Sequence, residues 1–489
     1  MPSNMINFGT DGWRAIIAQD FTIENVEKVS TAIAKLIKSD ERRKLDIYNI
    51  DYSKHPNSSY KVEYRDYKAG VVIGYDYRFM SEYFAYKVAE VLSSFKIPVI
   101  LSSTACSTPA LSLKVSKGHA AGIMITASHN PYFYNGIKYK AEYGGSATTE
   151  MTKIIENFLK EPISNITPYI ELIDKSQDVQ AEYIKSIQNK VDLEKIRSFI
   201  EKNNIFIVVD YMFGVLSGSF KYLISSQNII ELNNQRNPYF NGTSPEPIPQ
   251  NLGNLRKIVR MLGTNSIGFA FDGDGDRIFA TNYKEWITPH EILPLLALHL
   301  IKNKGWEGKV VRTLPTSTKL KRLAEKMNLE AIETPVGFKY IADLFVKDNI
   351  LIGGEESGGI GFKNHIPERD SLLNALYILE IMCDLNIKPI DIIDYLHSFT
   401  GVSYCYRYDL HFKSIEEQKK KYEEIKNKIV EIDRGKLQIK DYIKIEEDDR
   451  NWIALRPSGT EPLIRIYSEA NTLEEAKQKV NNILSILKE

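Results

Sequence analysis

"HAAGIMITASHNP", residues 119–131, is a run of small and apolar side chains that stops at Asn130-Pro131. Such a run reads as a buried strand, and the proline, which lacks an N–H and biases its predecessor towards extended geometry, ends the ladder there. Ser128 and His129 therefore sit where a strand gives out, a position from which α/β folds present chemistry. Ser128 alone admits three readings: a cap for the following turn, the nucleophile of a hydrolase, or the carrier of a phosphoryl group. The hydrolase reading wants a G-x-S-x-G elbow, and Thr126 and Asn130 stand where its glycines would be.

Outward from this stretch the same punctuation recurs. "AGVVIGYD" (69–76), "IPVILSS" (97–103), "IFIVVD" (205–210), "SIGFAFDGD" (266–274) and "NILIGGEES" (349–357) are all apolar runs closed by polar or turn-forming residues. Between them, "FTIENVEKVSTAIAKLIKS" (21–39) and "ITPHEILPLLALHLIKNK" (287–304) space their apolar residues at helical intervals. The alternation predicts α/β units with functional loops at strand ends, repeated three times in series. Residues 40–68, polar and rich in tyrosine, break the rhythm and are expected to form an insertion or long loop. Near the end, Ile415, Tyr422, Ile425, Ile429 and Ile432 form one helical stripe, and Thr472 with Glu475 predicts a capping box opening a last helix.

A chain of 489 residues exceeds one core and suggests three or four domains. Lys plus Arg and Asp plus Glu both number 63, so no overall field recruits nucleic acid or a membrane surface. Cys106, Cys383 and Cys405 have no C-x-x-C spacing, which argues against a disulfide framework or a zinc site and for a reducing compartment. The opening "MPSNMINFGTDGWRAII" lacks the layout of a secretion signal, and no stretch has the apolar length to span a bilayer. The expectation is a soluble, cytoplasmic protein.

"FDGDGDR", residues 271–277, sets Asp272, Asp274 and Asp276 between glycines that allow a tight turn, so three carboxylates can converge on one hard cation. An EF-hand would need Glu at the twelfth position, where Tyr283 stands. The set suits Mg2+ with a phosphate oxygen, and Arg277 is adjacent. "GGEESGG" (353–359) supplies carboxylates and a hydroxyl for vicinal sugar hydroxyls. "RPSGTEP" (456–462), followed by Arg465, is equipped to nest a phosphate dianion. Together with a hydroxyl nucleophile, these loops fit phosphoryl transfer on a sugar phosphate.

In order along the chain, "FGTDGWR" (8–14), "GYDYR" (74–78), "TASHNP" (126–131), "NGIK" (135–138), "DGDGDR" (272–277), "TPVGFK" (334–339), "GEESGG" (354–359) and "RPSGTEP" (456–462) resemble the motifs of the α-D-phosphohexomutase superfamily, which includes phosphoglucomutases and phosphomannomutases. The resemblance implies an α/β protein of four domains around a central cleft, three of similar mixed α/β plan and a C-terminal α+β domain. The limits expected are 1–160 with the phosphoserine loop, 161–285 with the metal loop, 286–398 with the sugar loop and 399–489 with the phosphate loop. It implies that Ser128 is phosphorylated and exchanges its phosphoryl group with glucose 1-phosphate or glucose 6-phosphate through glucose 1,6-bisphosphate. Mg2+ would sit on Asp272, Asp274 and Asp276 and share an oxygen of the Ser128 phosphate. Arg14 and Arg277 would clamp the phosphoryl group, and either His129 or Lys138 would exchange the proton. Glu355 and Ser357 would hold the sugar, with Lys339 alongside, and Arg456, Ser458, Gly459, Thr460 and Arg465 the other phosphate. Relatives that also take mannose carry Met and His where this chain has Glu356 and Gly359, with His365 close downstream. The pattern leans to glucose, with phosphomannomutase, phosphoglucosamine mutase or a silent sugar-phosphate-binding protein as alternatives.

Overall fold

The computed structural model describes residues 6, 8, 12–162, 165–432, 436–439, 442–458 and 462–486. They divide into two compact bodies, one of Met1–Thr313 with Ile332–Ile393 and the other of Leu314–Ala331 with Asp394–Glu489.

The first body holds three sheets. In the first, Val71–Tyr75 and Ala121–Ile125 are buried at every position and pair in parallel, with Val99–Leu101 and Ile173–Asp174 continuing the sheet. Burial on both faces is why these runs are continuously apolar rather than alternating. Tyr134–Ala141 then turns back antiparallel on Ala121–Ile125, setting Lys138 opposite Met124, and Trp13–Ile16 closes the edge with Arg14 opposite Gly136. The helix Ile23–Lys38, capped by the Thr22 hydroxyl, and Ser81–Ser94 bury their apolar faces in the same core.

The second sheet repeats this plan. Phe206–Asp210 runs parallel to Ile229–Leu232 and Ser266–Phe271, and the latter folds back on Ile278–Asn282 as an antiparallel hairpin. In the third sheet Lys309–Thr313 pairs in parallel with Ile350–Gly354, which folds back on Ile360–Phe362. The loops at these three reversals are 126–133, 272–277 and 355–359, the same three that the motifs single out. A common plan thus produces one polar loop per sheet, each at the end of a buried strand.

The second body is an antiparallel five-stranded sheet, with Tyr404–His411 and Lys436–Ile439 at its edges. One core gathers Tyr422, Ile425 and Ile429 of the helix Ile415–Ile432 with Val480 and Ile483 of Leu473–Ile486 against the sheet. The expected capping box is present: Glu475 N–H donates to the Thr472 hydroxyl, and Thr472 N–H donates to the Glu475 carboxylate, both at 3.1 Å. Of the expected stripe, Ile415 is 38% exposed and the Ile432 side chain lies outside the described residues.

Residues 40–68 contain only short helical turns, yet they are anchored at both ends. Arg42 is fully buried and pairs with Glu142 at 2.9 Å, while Arg65 donates to the carbonyls of Val115, Ser116, His119 and Glu142. Further along, the Ser59 hydroxyl donates to the Ile350 carbonyl at 2.6 Å and the Tyr60 hydroxyl to Phe362 at 2.7 Å. The insertion therefore ties the first sheet to the third. No helix among the described residues is long and apolar enough to cross a membrane.

Candidate functional site

Ser128 follows the buried strand Ala121–Ile125 and adopts φ +53°, a left-handed conformation uncommon for a residue with a side chain. The residue is 1% exposed; its hydroxyl donates to Asp272 Oδ2 at 2.8 Å, and His129 Nδ1 lies 3.4 Å from Ser128 Oγ. The approach is close enough to require glycine in the neighbouring loop: a Cβ on Gly273 would come within 2.7 Å of the Ser128 carbonyl oxygen.

Asp272, Asp274 and Asp276 are completely buried, and each offers a carboxylate oxygen within 4.8 Å of the others. Asp272 bears the cost of that crowding: burial, then Asp276 and Asp274, push its carboxyl well above the ordinary range. Burial opposes ionisation of Asp274 too, but Lys138 beside it and the Thr108 hydroxyl hold that carboxyl below the usual range. Lys138, from the strand Tyr134–Ala141, reaches Asp274 Oδ2 at 2.8 Å and Asp276 Oδ2 at 3.0 Å. Asp274 Oδ1 and Asp276 Oδ1 are buried without a hydrogen-bond partner. Three hard oxygen donors, two of them with unmet acceptor capacity and the third ionising only at a cost, are what a divalent cation such as Mg2+ satisfies.

Around the triad stand the expected cations. Arg277 Nε lies 4.0 Å from Asp272 and 3.9 Å from Asp276 and makes no hydrogen bond, and Arg14 donates to the Asn130 side chain at 2.8 Å. These charges act on His129: burial first, then Arg277, Arg14, Arg78 and Lys138, keep its pKa well below the ordinary value, so the imidazole is neutral near pH 7.

The 355–359 loop joins the same cluster through a backbone β-bridge between Arg277 and Gly359, with Ile278 N–H donating to the Gly358 carbonyl at 3.1 Å. Glu355 is buried, and desolvation, moderated by Arg369, pushes its carboxyl up to about 7. Ser357 is half-buried on the same loop. Lys339 lies in the first turn of the helix Phe338–Lys347 with its ammonium 5.2 Å from the Tyr340 ring, away from the contacts that join the three loops. In the second body, Arg456 and Arg465 face each other across adjacent strands, with Asp409 opposite Arg465 on its other side. Asp409 itself accepts from Arg407 Nε at 2.8 Å and Nη2 at 2.6 Å. Ser458 is buried, its carbonyl accepting from Gln418 at 3.0 Å, whereas Gly459 and Thr460 lie outside the described residues.

Two participants escape the motif reading. The Thr108 hydroxyl donates to Asp274 Oδ2 at 2.5 Å from the start of the helix Thr108–Ser116. Arg369 places Nη2 2.7 Å from Asp276 and Nη1 3.6 Å from Glu355, joining the 272–277 loop to the 355–359 loop. Arg369 also fills the space next to Gly359, where a Cβ would meet its Cδ at 2.2 Å. Three consecutive charged residues soon after the glycine loop, in "PERD" at 367–370, are the sequence signal for it.

Four family models match the chain: phosphoglucomutase/phosphomannomutase alpha/beta/alpha domain I over 59–165, domain II over 181–284, domain III over 288–399, and the C-terminal domain over 413–485. A phosphoglucomutase/phosphomannomutase of Thermococcus kodakarensis is 30% identical over 487 residues, covering 99% of this chain and 98% of that protein. A phosphoglucosamine/phosphogalactosamine mutase of Sulfurisphaera tokodaii is 28% identical over 496 residues, 98% of each. Among solved structures, a Thermus thermophilus protein provisionally described as a phosphomannomutase superposes with a TM-score of 0.79 at 27% identity, covering 99% of this chain and 100% of that one.

Proposed function

The chain belongs to the phosphoglucomutase/phosphomannomutase family, and from that premise we propose that it is a phosphoglucomutase, moving a phosphoryl group reversibly between glucose 1-phosphate and glucose 6-phosphate through glucose 1,6-bisphosphate. The observation that carries this reading is the Ser128 hydroxyl, bonded at 2.8 Å to one aspartate of a buried triad. In the first half-reaction a sugar hydroxyl attacks the phosphorus on Ser128, the bond to Oγ breaks, and the sugar monophosphate becomes the bound 1,6-bisphosphate while Ser128 is left as a free hydroxyl. In the second, the other phosphoryl group of the bisphosphate returns to Ser128.

Asp272, Asp274 and Asp276 would hold Mg2+, whose charge offsets that of the phosphoryl group on Ser128. His129, kept neutral by its surroundings, takes the proton of the attacking hydroxyl and later returns it. Lys138, fixed between two of the aspartates, serves the cluster as a cation. Arg14 and Arg277 clamp the phosphoryl oxygens. Glu355 and Ser357 accept and donate hydrogen bonds to sugar hydroxyls, Lys339 adds a charge at their margin, and Arg456, Ser458, Gly459, Thr460 and Arg465 bind the phosphate that is not transferred. The domain limits are proposed at 160, 285 and 398, and the compartment as the cytoplasm.

A second reading, action on glucosamine phosphates, is favoured by two carboxylates side by side in the sugar loop, Glu355 and Glu356, which suit an ammonium on the ring. Phosphorus NMR on the 1-phosphates of glucose, mannose, glucosamine and N-acetylglucosamine, with Mg2+ and a trace of the matching bisphosphate, separates these readings. Glucose 1-phosphate should give the highest kcat/KM. A tenfold lead for glucosamine 1-phosphate would select the second reading, and no turnover of any of the four would reject both.

A further inference from the structure

"GYDYR" (74–78) belongs to the sequence pattern, yet nothing in the proposed reaction uses it. In the structure its arginine lies beneath the Ser128 loop with its side chain completely buried. Arg78 Nη2 donates to the carbonyls of Ser128 at 2.6 Å and Asn130 at 2.7 Å, and Nη1 to those of Pro131 at 2.9 Å and Tyr134 at 3.2 Å. One face of the guanidinium is covered by the Phe240 ring, 4.9 Å away, and Nε lies 3.2 Å from Asp76 Oδ2. Asp76 completes a second line of support. Its Oδ2 accepts from the Thr126 hydroxyl at 2.6 Å, which turns the Thr126 oxygen towards the Ser128 N–H and accepts from it at 2.8 Å.

Buried backbone carbonyls need donors, and one guanidinium supplies them here to four oxygens, of which that of Pro131 also accepts from the Tyr134 N–H at 3.0 Å. The conformation so held includes the left-handed Ser128, an arrangement that persists only where the surroundings over-determine it. It also directs Oγ to Asp272. Arginine suits the task because its planar fork can serve four acceptors and it keeps its charge when buried, whereas a lysine ammonium has three donors and a smaller reach.

We propose that Arg78, held by Asp76, is a positioning residue for the nucleophile: its clamp on four carbonyls, with the Thr126 hydroxyl on the Ser128 N–H, fixes the Ser128 hydroxyl in line for phosphoryl exchange. This rests on Ser128 being the phosphoryl carrier. A loop released from the clamp still binds sugar phosphate elsewhere on the protein but presents Oγ in the wrong place, so the loss falls on kcat and not on KM.

The test compares the wild type with Arg78→Lys, Arg78→Ala and Thr126→Val, following phosphorylation of Ser128 by glucose 1,6-bisphosphate with peptide mass spectrometry alongside steady-state turnover of glucose 1-phosphate. Expected are a fall in kcat of about 100-fold for Arg78→Lys and about tenfold for Thr126→Val, with KM within threefold, and recovery of at least tenfold when guanidinium is added to Arg78→Ala. If the arginine variants do not fold, Thr126→Val, which keeps the core shape, decides alone. A kcat within threefold of wild type in a folded variant, or equal changes in kcat and KM, overturns the proposal. A wild type that is never phosphorylated at Ser128 overturns the mutase reading as well, so the two failures are distinguishable.

Discussion

Ser128 Oγ and Asp272 Oδ2 are 2.8 Å apart although 144 positions separate them in the chain. The bond joins the loop of the first sheet to that of the second and places a buried hydroxyl at the edge of three buried carboxylates. Those carboxylates repel one another, and the repulsion is strongest in the absence of a cation.

Mg2+ should therefore stabilise the protein, by about 2.7 kcal/mol when its concentration is 100 times its Kd. Asp272→Asn removes the carboxyl whose ionisation burial and its two neighbours oppose, so in EDTA at neutral pH this variant should melt above the wild type and gain little on adding Mg2+. Thermal melts with and without the ion measure both effects; an equal response of the two proteins would contradict metal binding at the triad.

Lys138 is the counter-charge shared by Asp274 and Asp276, the second of which also pairs with Arg369. Lys138→Met leaves both buried carboxylates without it, and destabilisation of about 3–5 kcal/mol is expected in metal-free buffer at neutral pH. Urea unfolding measures the loss, which saturating Mg2+ should partly restore.

Glu355 gives the binding step a pH dependence. Its carboxyl is pushed up to about 7, and in the function proposed here the ionised form would accept the hydrogen bonds of sugar hydroxyls. KM should therefore be flat above pH 7 and rise about tenfold per unit as pH falls below it. His129 is displaced well below 6.5 and leaves no limb in that range. Glu355→Gln should raise KM and flatten the profile; an unchanged limb would assign the titration elsewhere.

Much of this site is written locally in the sequence. Each functional loop ends a continuously apolar strand, and the Asp-Gly alternation of 272–276 is a compact statement of three converging carboxylates. What the sequence conceals is contact made at long range. Thr108 meets Asp274 across 166 positions, and Arg369 meets Asp276 through a turn of chain whose local pattern is only polar. The insertion is the sharpest case: by composition residues 40–68 are a solvated loop, yet Arg42 is wholly buried because Glu142, 100 positions away, compensates its charge.

That buried pair carries its own prediction. Arg42→Met strands Glu142 in the core and should cost about 3–5 kcal/mol. The change lies away from the Ser128 loop, so kcat at a temperature where the variant is folded should stay within twofold of wild type. Denaturant unfolding and turnover on one preparation would test both parts, and a matching fall in kcat would contradict the separation.

The most direct measurement is the mass of the protein and of its Ser128 peptide after incubation with glucose 1,6-bisphosphate and Mg2+. The central claim predicts about 80 Da of added phosphate on Ser128, discharged by glucose 1-phosphate, with no such adduct and no isomerisation in a folded Ser128→Ala variant. Turnover by Ser128→Ala, or phosphate found on another residue, would contradict it.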